Sequence, residues 1–190
     1  MKKPQVQLLI ISALFTFAFA QAAEVELIKA RVGWEGSMPA KTHEGRIDVK
    51  EMNAEISGAE TFERLEVVLD MTRIAVEDLK KGKDRKKLEG HLRSSDFFHV
   101  EEYPTATFVL AKHKAGVLHG TLKIRGVEEA AEIPVTLTRT EDGNYRLNGN
   151  FTFDRQKFNV NYQNSGFFGT AKDKIIRDEV KVSLDIVFAI

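Results

Sequence analysis

The chain has 190 residues, 43% of them apolar, with 28 Lys plus Arg against 28 Asp plus Glu and no cysteine. That length suits one domain or slightly more, the composition excludes a disordered chain, and the balanced charge argues against a nucleic-acid binder, which carries a concentrated basic face. Without cysteine there is neither a disulfide staple nor a lipid-modified cysteine anchor, so stability has to come from apolar burial.

Residues 1–22 read as a secretory signal peptide. Lys2 and Lys3 precede an apolar run from Val6 to Ala20, and small residues follow, so cleavage is expected near Ala20 or Ala22. The run is too short and too early for a membrane span, which needs about 20 residues. Loss of Lys2 and Lys3 leaves 26 basic against 28 acidic residues in a mature domain, 23–190, with a net charge of −2.

From there apolar and polar residues mostly alternate, as in half-buried strands. Val25 to Trp34 is a first strand with Ile28, Ala30, Val32 and Trp34 on one face, and a turn follows around Pro39. His43 to Val49 and Asn53 to Ile56 are two short strands around a polar Lys50-Glu51 corner. Phe62 to Met71 sets Leu65, Val67, Leu69 and Met71 on a common face. Lys80 to Lys87 is the one basic run, a solvated loop and helix start that also suits transient contact with anionic headgroups.

Leu88 to Phe108 breaks the alternation. Leu88 and Leu92 stand four apart, the spacing of one helical face, and a helical segment is predicted around residues 84–98. Asp84 is placed to cap its first amides, and Ser95 with Asp96 to start a short turn carrying Phe97 and Phe98. Pro104 then sends the chain into a strand. The Phe pair and the two leucines are expected to plug one end of a curled sheet.

Thr105 to Ala111, Val117 to Ile124 and Ala130 to Thr138 are three strands joined by short turns at Gly116 and Gly126. Asp142-Gly143, a hairpin signal, leads into the alternating run Tyr145 to Phe153. Asn161 to Lys174 is a Gly- and aromatic-rich loop holding Phe167 and Phe168, and Glu179 to Ile190 is a last, strictly alternating strand. About eight strands with short connections make a mainly all-β chain whose simplest form is an antiparallel meander closed into a barrel, large enough to hold one small ligand. A flat sheet would leave two bare edges.

The run Lys87 to Phe108 (KLEGHLRSSDFFHVEEYPTATF) resembles the central motif of the YceI-like family of exported, lipocalin-shaped proteins. Gly120 to Val127 is similar to the family's G-x-L-x-I-x-G-V strand and turn. Phe153 to Val160 is similar to its D-R-x-x-F-x-V stretch, with Asn159 where the commoner pattern has glycine. Ile176 to Val180 resembles its closing strand, and Trp34-Glu35-Gly36 with His43-Glu44-Gly45 resembles the family variant with W-x-G and a later H-x-G. The resemblance implies an extended eight-stranded antiparallel β-barrel, lipocalin-like, with an apolar tunnel in which family members hold an isoprenoid chain such as a polyprenyl phosphate or a quinone tail.

A tunnel of that kind needs apolar area, not catalytic groups. The inward side chains expected to line it are Trp34, Leu69, Phe108, Leu110, Leu122, Ile124, Ile133, Val135, Phe151, Phe153, Val182, Leu184 and Ile186, although each can equally fill a dry core. Arg155, beside Asp154, is the candidate contact for a phosphate head, against the plainer reading of a structural ion pair. His91 is expected to be a buried, hydrogen-bonded histidine that pins the helix.

Nothing points to an enzyme. Histidines 43, 91, 99, 113 and 119 form no His-Glu-x-x-His, and there is no Gly-x-Ser-x-Gly elbow, phosphate loop or dinucleotide fingerprint. Asp154 with Asp173 is an acid pair of the sort that 28 acids make inevitable. The expected protein is a periplasmic carrier of an amphipathic isoprenoid lipid, with no cofactor, no metal, no nucleic-acid partner, and room for transient membrane contact or an oligomer. The alternative is a stress-related or protein-interaction module with a solid barrel core.

Overall fold

The computed structural model describes residues 23–58, 60–164 and 172–190. The expected signal peptide and the Phe167-Phe168 part of the loop lie outside the described residues. The elements are β1 (Ala23–Glu24), β2 (Glu26–Met38), β3 (Lys41–Ser57), β4 (Thr61–Val76), α1 (Lys83–Arg93), β5 (Thr105–Lys114), β6 (Val117–Ile124), β7 (Val127–Arg139), β8 (Tyr145–Asp154), a 3-10 turn (Arg155–Phe158) and β9 (Glu179–Ala189).

Every pairing is antiparallel. Strands follow the order β3-β2-β9-β8-β7-β6-β5-β4, and β3 pairs with β4 to shut the ring. Eight strands therefore form a closed barrel with β1 added along β3. Closure removes the edges that an open sheet would expose.

The long strands bend at bulges, which the alternation conceals. The expected two strands around Lys50-Glu51 are one strand, β3, and the polar corner is a register shift between Val49 and Glu51. Another shift, between Leu27 and Lys29, turns Ile28 outward to 53% exposure, away from the inward face expected of it. Two-residue turns with positive φ at Ala115-Gly116 and Arg125-Gly126 join β5 to β6 and β6 to β7, the geometry that suits strand twist.

α1 forms from a run of good helix formers, and Leu92 is its buried residue. Its N-cap is Gly82 and no side chain caps it, so the capping role expected of Asp84 is not found. Asp84 sits inside the first turn, where its charge faces the helix dipole favourably. The helix stops at Ser94, whose amide and hydroxyl both bond the His91 carbonyl. The following turn delivers Phe97 and Phe98, each 7% exposed, to the same end of the barrel.

The far end is filled by aromatic packing. Phe62, Tyr145 and Phe188 stack in series, with centroids 6.3 Å apart for Phe62 and Phe188 and 5.7 Å for Tyr145 and Phe188. Leu118, Leu147 and Ile186, each 1% exposed, complete that half.

Candidate functional site

Between this packed half and the helical cap lies a cavity of about 130 Å³. Its wall comes from one end of nearly every strand: Val32 to Met38 of β2, His43 and Ile47 of β3, Leu69 to Ile74 of β4, Ala106 of β5, and the late residues of β6 and β8 with the early ones of β9. Its roof is Leu88, His91, Leu92, Phe97 and Phe98. The leucine and phenylalanine plug expected from the sequence is thus in place, as the roof of a space rather than a stopper in it.

Of the residues expected to line a tunnel, Trp34, Leu69, Leu122, Ile124, Phe151, Phe153 and Val182 line the cavity. Phe108, Leu110, Ile133, Val135, Leu184 and Ile186 do not, and the tunnel that the resemblance implies is cut short by packing in mid-barrel. There the Phe108 ring lies over Gly120, where a Cβ would sit 2.7 Å from Cζ, and Val135 and Leu184 close over Gly149. Glycine on the adjacent, hydrogen-bonded strand lets each large side chain lean over its neighbour on the inner face. Sequence reading missed Val32, Ile47, Met71, Ile74, Ala106 and Val180 as lining residues. Their inward parity was readable, but their height along the barrel was not.

Arg155 is where the expectation changes most. It is wholly buried, and its guanidinium donates to four backbone carbonyls: Nε to Arg177 at 3.1 Å, Nη1 to Val160 at 2.7 Å and Tyr162 at 2.9 Å, and Nη2 to Ile176 at 3.0 Å. Nη2 also lies 3.1 Å from Asp178 Oδ1, an ion pair without hydrogen-bond alignment. Burial pulls its pKa down, and the charges of Asp178 and Asp154 oppose that. With four of its five donors on carbonyls and the fifth on the nitrogen that faces Asp178, Arg155 is a staple between two loop segments and not a contact for a phosphate head.

The same device recurs around the roof. Arg93 Nη2 donates to the Ile74 carbonyl at 3.0 Å, and Arg125 ties Ser95 and Asn159 by their carbonyls. Asn159 adopts φ +60, which explains glycine in the commoner pattern: asparagine is the side chain that best tolerates this conformation. Glu89 accepts from Arg85 Nε at 2.9 Å and from the Val76 amide at 3.1 Å, fastening α1 to β4. Burial opposes the Glu89 charge, but these bonds and the Arg85 and Arg93 charges outweigh it and hold the carboxyl below its ordinary 4.5.

Polar groups at the cavity are few. His43 Nδ1 lies 2.8 Å from Asp78 Oδ2, and Asp78 Oδ1 accepts the Glu44 amide at 3.1 Å. Burial works against the Asp78 charge, yet the bonds from His43 and Glu44 leave its pKa lowered. His91 is held differently from expectation. Its Nε2 has no hydrogen-bond partner among the described residues, and the ring instead packs edgewise on Tyr162 at 4.4 Å and Phe97 at 5.8 Å. Trp34 Nε1 is likewise unpartnered among them. No group of three or more His, Asp or Glu among the described residues could hold a metal, and no described helix is long and apolar enough to cross a membrane.

A closed eight-stranded antiparallel barrel whose apolar interior opens into a cavity under a helical cap is the lipocalin-like architecture. The YceI-like domain family matches residues 24–188, and the chain belongs to that family. The fold is similar to BcnA of Burkholderia cenocepacia (22% identity, TM-score 0.65), covering 86% of this chain and 98% of that one. It is also similar to a polyisoprenoid binding domain from Saccharophagus degradans implicated in plant cell wall breakdown (15% identity, TM-score 0.63, 88% and 98% covered). A Campylobacter jejuni YceI protein matches over 98% of this chain and 97% of its own at 19% identity and a TM-score of 0.55. No curated protein matches.

Proposed function

We propose that the protein is an exported, periplasmic carrier that holds the apolar chain of an isoprenoid lipid under its helical cap, without catalysing a reaction. The observation that carries this reading is the cavity itself, about 130 Å³ and walled almost entirely by aliphatic and aromatic side chains. An apolar cavity of roughly 150 Å³ stays dry and takes a benzene-sized guest, so this one accepts about one isoprene unit as it stands. Five carbons removed from water contribute roughly 4 kcal/mol before ordering costs. A longer chain, entering past Met38 and Ser37 of the β2–β3 hairpin, needs the roof side chains Leu88, Leu92, Phe97 and Phe98 to give way.

The likeness to a polyisoprenoid binding domain supports the ligand class, and the signal-like residues 1–22 support export. A solid-core module accounts for the packed far half but leaves the cavity without a purpose. Organic extraction of the purified protein followed by mass spectrometry tests the reading. A co-purifying isoprenoid, or uptake of added quinone, is expected; repeated absence of both contradicts it.

A further inference from the structure

The pair of short motifs, Trp34-x-Gly36 and His43-x-Gly45, is explained by strand register. Trp34 stands opposite Gly45, and Gly36 stands opposite His43, so all four share the inward face where β2 and β3 reach the rim. The two glycines do different things. A Cβ at Gly45 would meet Trp34 Cζ2 at 2.8 Å and the Ala75 carbonyl oxygen at 1.9 Å, so this glycine is the bed on which the indole lies. A Cβ at Gly36 would meet nothing within 4 Å, so this glycine leaves open space beside the His43 ring. Gly36, Ser37 and His43 all line the cavity.

His43 is held from one side only. Asp78, its neighbour across β3 and the end of β4, takes Nδ1 and is itself fixed by the Glu44 amide. A carboxylate on Nδ1 keeps the proton there, which leaves Nε2 of the neutral ring as a hydrogen-bond acceptor. Nε2 has no hydrogen bond to a described residue. A nearby anion is disfavoured: the Asp78 carboxylate adjoins the ring, and the charges on neighbouring Glu77 are already met by Arg31 and Arg46. Arg155 is the one arginine or lysine among the described lining residues, and four of its five donors are spent on carbonyls while its charge is met by Asp178.

Resting on the carrier reading, we infer that His43, positioned by Asp78 and facing the space left by Gly36, is the polar anchor of the cavity and selects an isoprenoid with a hydroxyl head over one with an anionic or donor-free head. Ligand orientation follows: the hydroxyl sits at the rim between β2 and β3, and the chain runs inward past Trp34 toward Leu69 and Val182.

Trp34 is the sole tryptophan and lines the cavity, so its fluorescence reports binding. Three probes separate the possibilities: farnesol, farnesyl methyl ether, which cannot donate, and farnesyl phosphate. The wild type is expected to bind farnesol about tenfold more tightly than the ether, the value of one hydrogen bond, and more tightly than the phosphate. His43→Phe should bring farnesol down to the ether and leave the ether unchanged. Asp78→Asn should shrink the same preference, His43→Gln, which keeps an acceptor oxygen, should restore part of it, and Gly36→Leu should weaken all three probes alike. An unchanged farnesol-to-ether ratio in folded His43→Phe overturns the anchor and leaves the carrier standing, as does a wild type that binds the phosphate most tightly. Failure of the wild type to bind any of the three overturns both.

Discussion

At the far end of the barrel Phe62, Tyr145 and Phe188 stack across the bore, and the polar groups there, Arg139 on Tyr145 and His113 on Phe62, only flank the stack. At the helix end, by contrast, short segments are tied by Arg93, Arg125, Arg155 and Glu89 to backbone atoms above a cavity. One end is closed by filling and the other by fastening. A roof that rests on side chains touching each other and the floor leaves no room beneath it, whereas one suspended from its rim by charged hydrogen bonds can span a space. That difference lets the same strands be core at one height and binding site at another.

The contrast is broken most severely at Arg155. Arg155→Met removes four bonds from a buried cation to carbonyls, leaving the Val160 oxygen buried without a donor and the partly exposed Asp178 without its partner, an expected loss of about 3–5 kcal/mol in urea unfolding. A loss below about 1 kcal/mol would mean that the cap is held by packing after all. Paired truncations sharpen the contrast next. Leu147→Ala, in the packed half, should cost about 2–5 kcal/mol, and Leu69→Ala, whose side chain already borders the cavity, clearly less. Equal costs would erase the distinction between the ends.

The smallest effect is acid dependence at Glu89. Its carboxyl titrates lower in the folded protein than its unfolded 4.5, so its stabilisation is complete above 4.5 and is lost as pH falls through the folded value. Thermal melts from pH 6 to pH 3 should show a loss in the wild type, about 1 kcal/mol, that Glu89→Gln does not share. Parallel pH profiles would remove Glu89 from the fastening.

Much of this was legible along the chain, because strand parity is a local property. Alternation located β5 to β9, the four-residue spacing of Leu88 and Leu92 located α1, and the Gly-containing turns joined the strands in order. Bulges were not legible, since an extra residue such as Ile28 leaves the composition of the run unchanged while turning its face outward. Nor was the height at which the bore is filled. Whether Phe108 or Phe151 faces a space depends on what stands beside it on the neighbouring strand, Gly120 in the first case, and that is a relation between strands. Arg155 shows the same limit: Asp154 was its visible neighbour, but the carbonyls that occupy it come from residues 160, 162, 176 and 177.

The division of the barrel into a filled half and a receiving half is tested most directly by methyl NMR of isoleucine, leucine and valine side chains during titration with farnesol. Shift changes at cavity-lining residues such as Ile47, Leu69, Ile74, Leu122, Ile124 and Val182, with Leu118, Leu147 and Ile186 unmoved, are the expected result. Changes centred on the latter three, or confined to outward-facing residues such as Ile28 and Val109, would contradict the account.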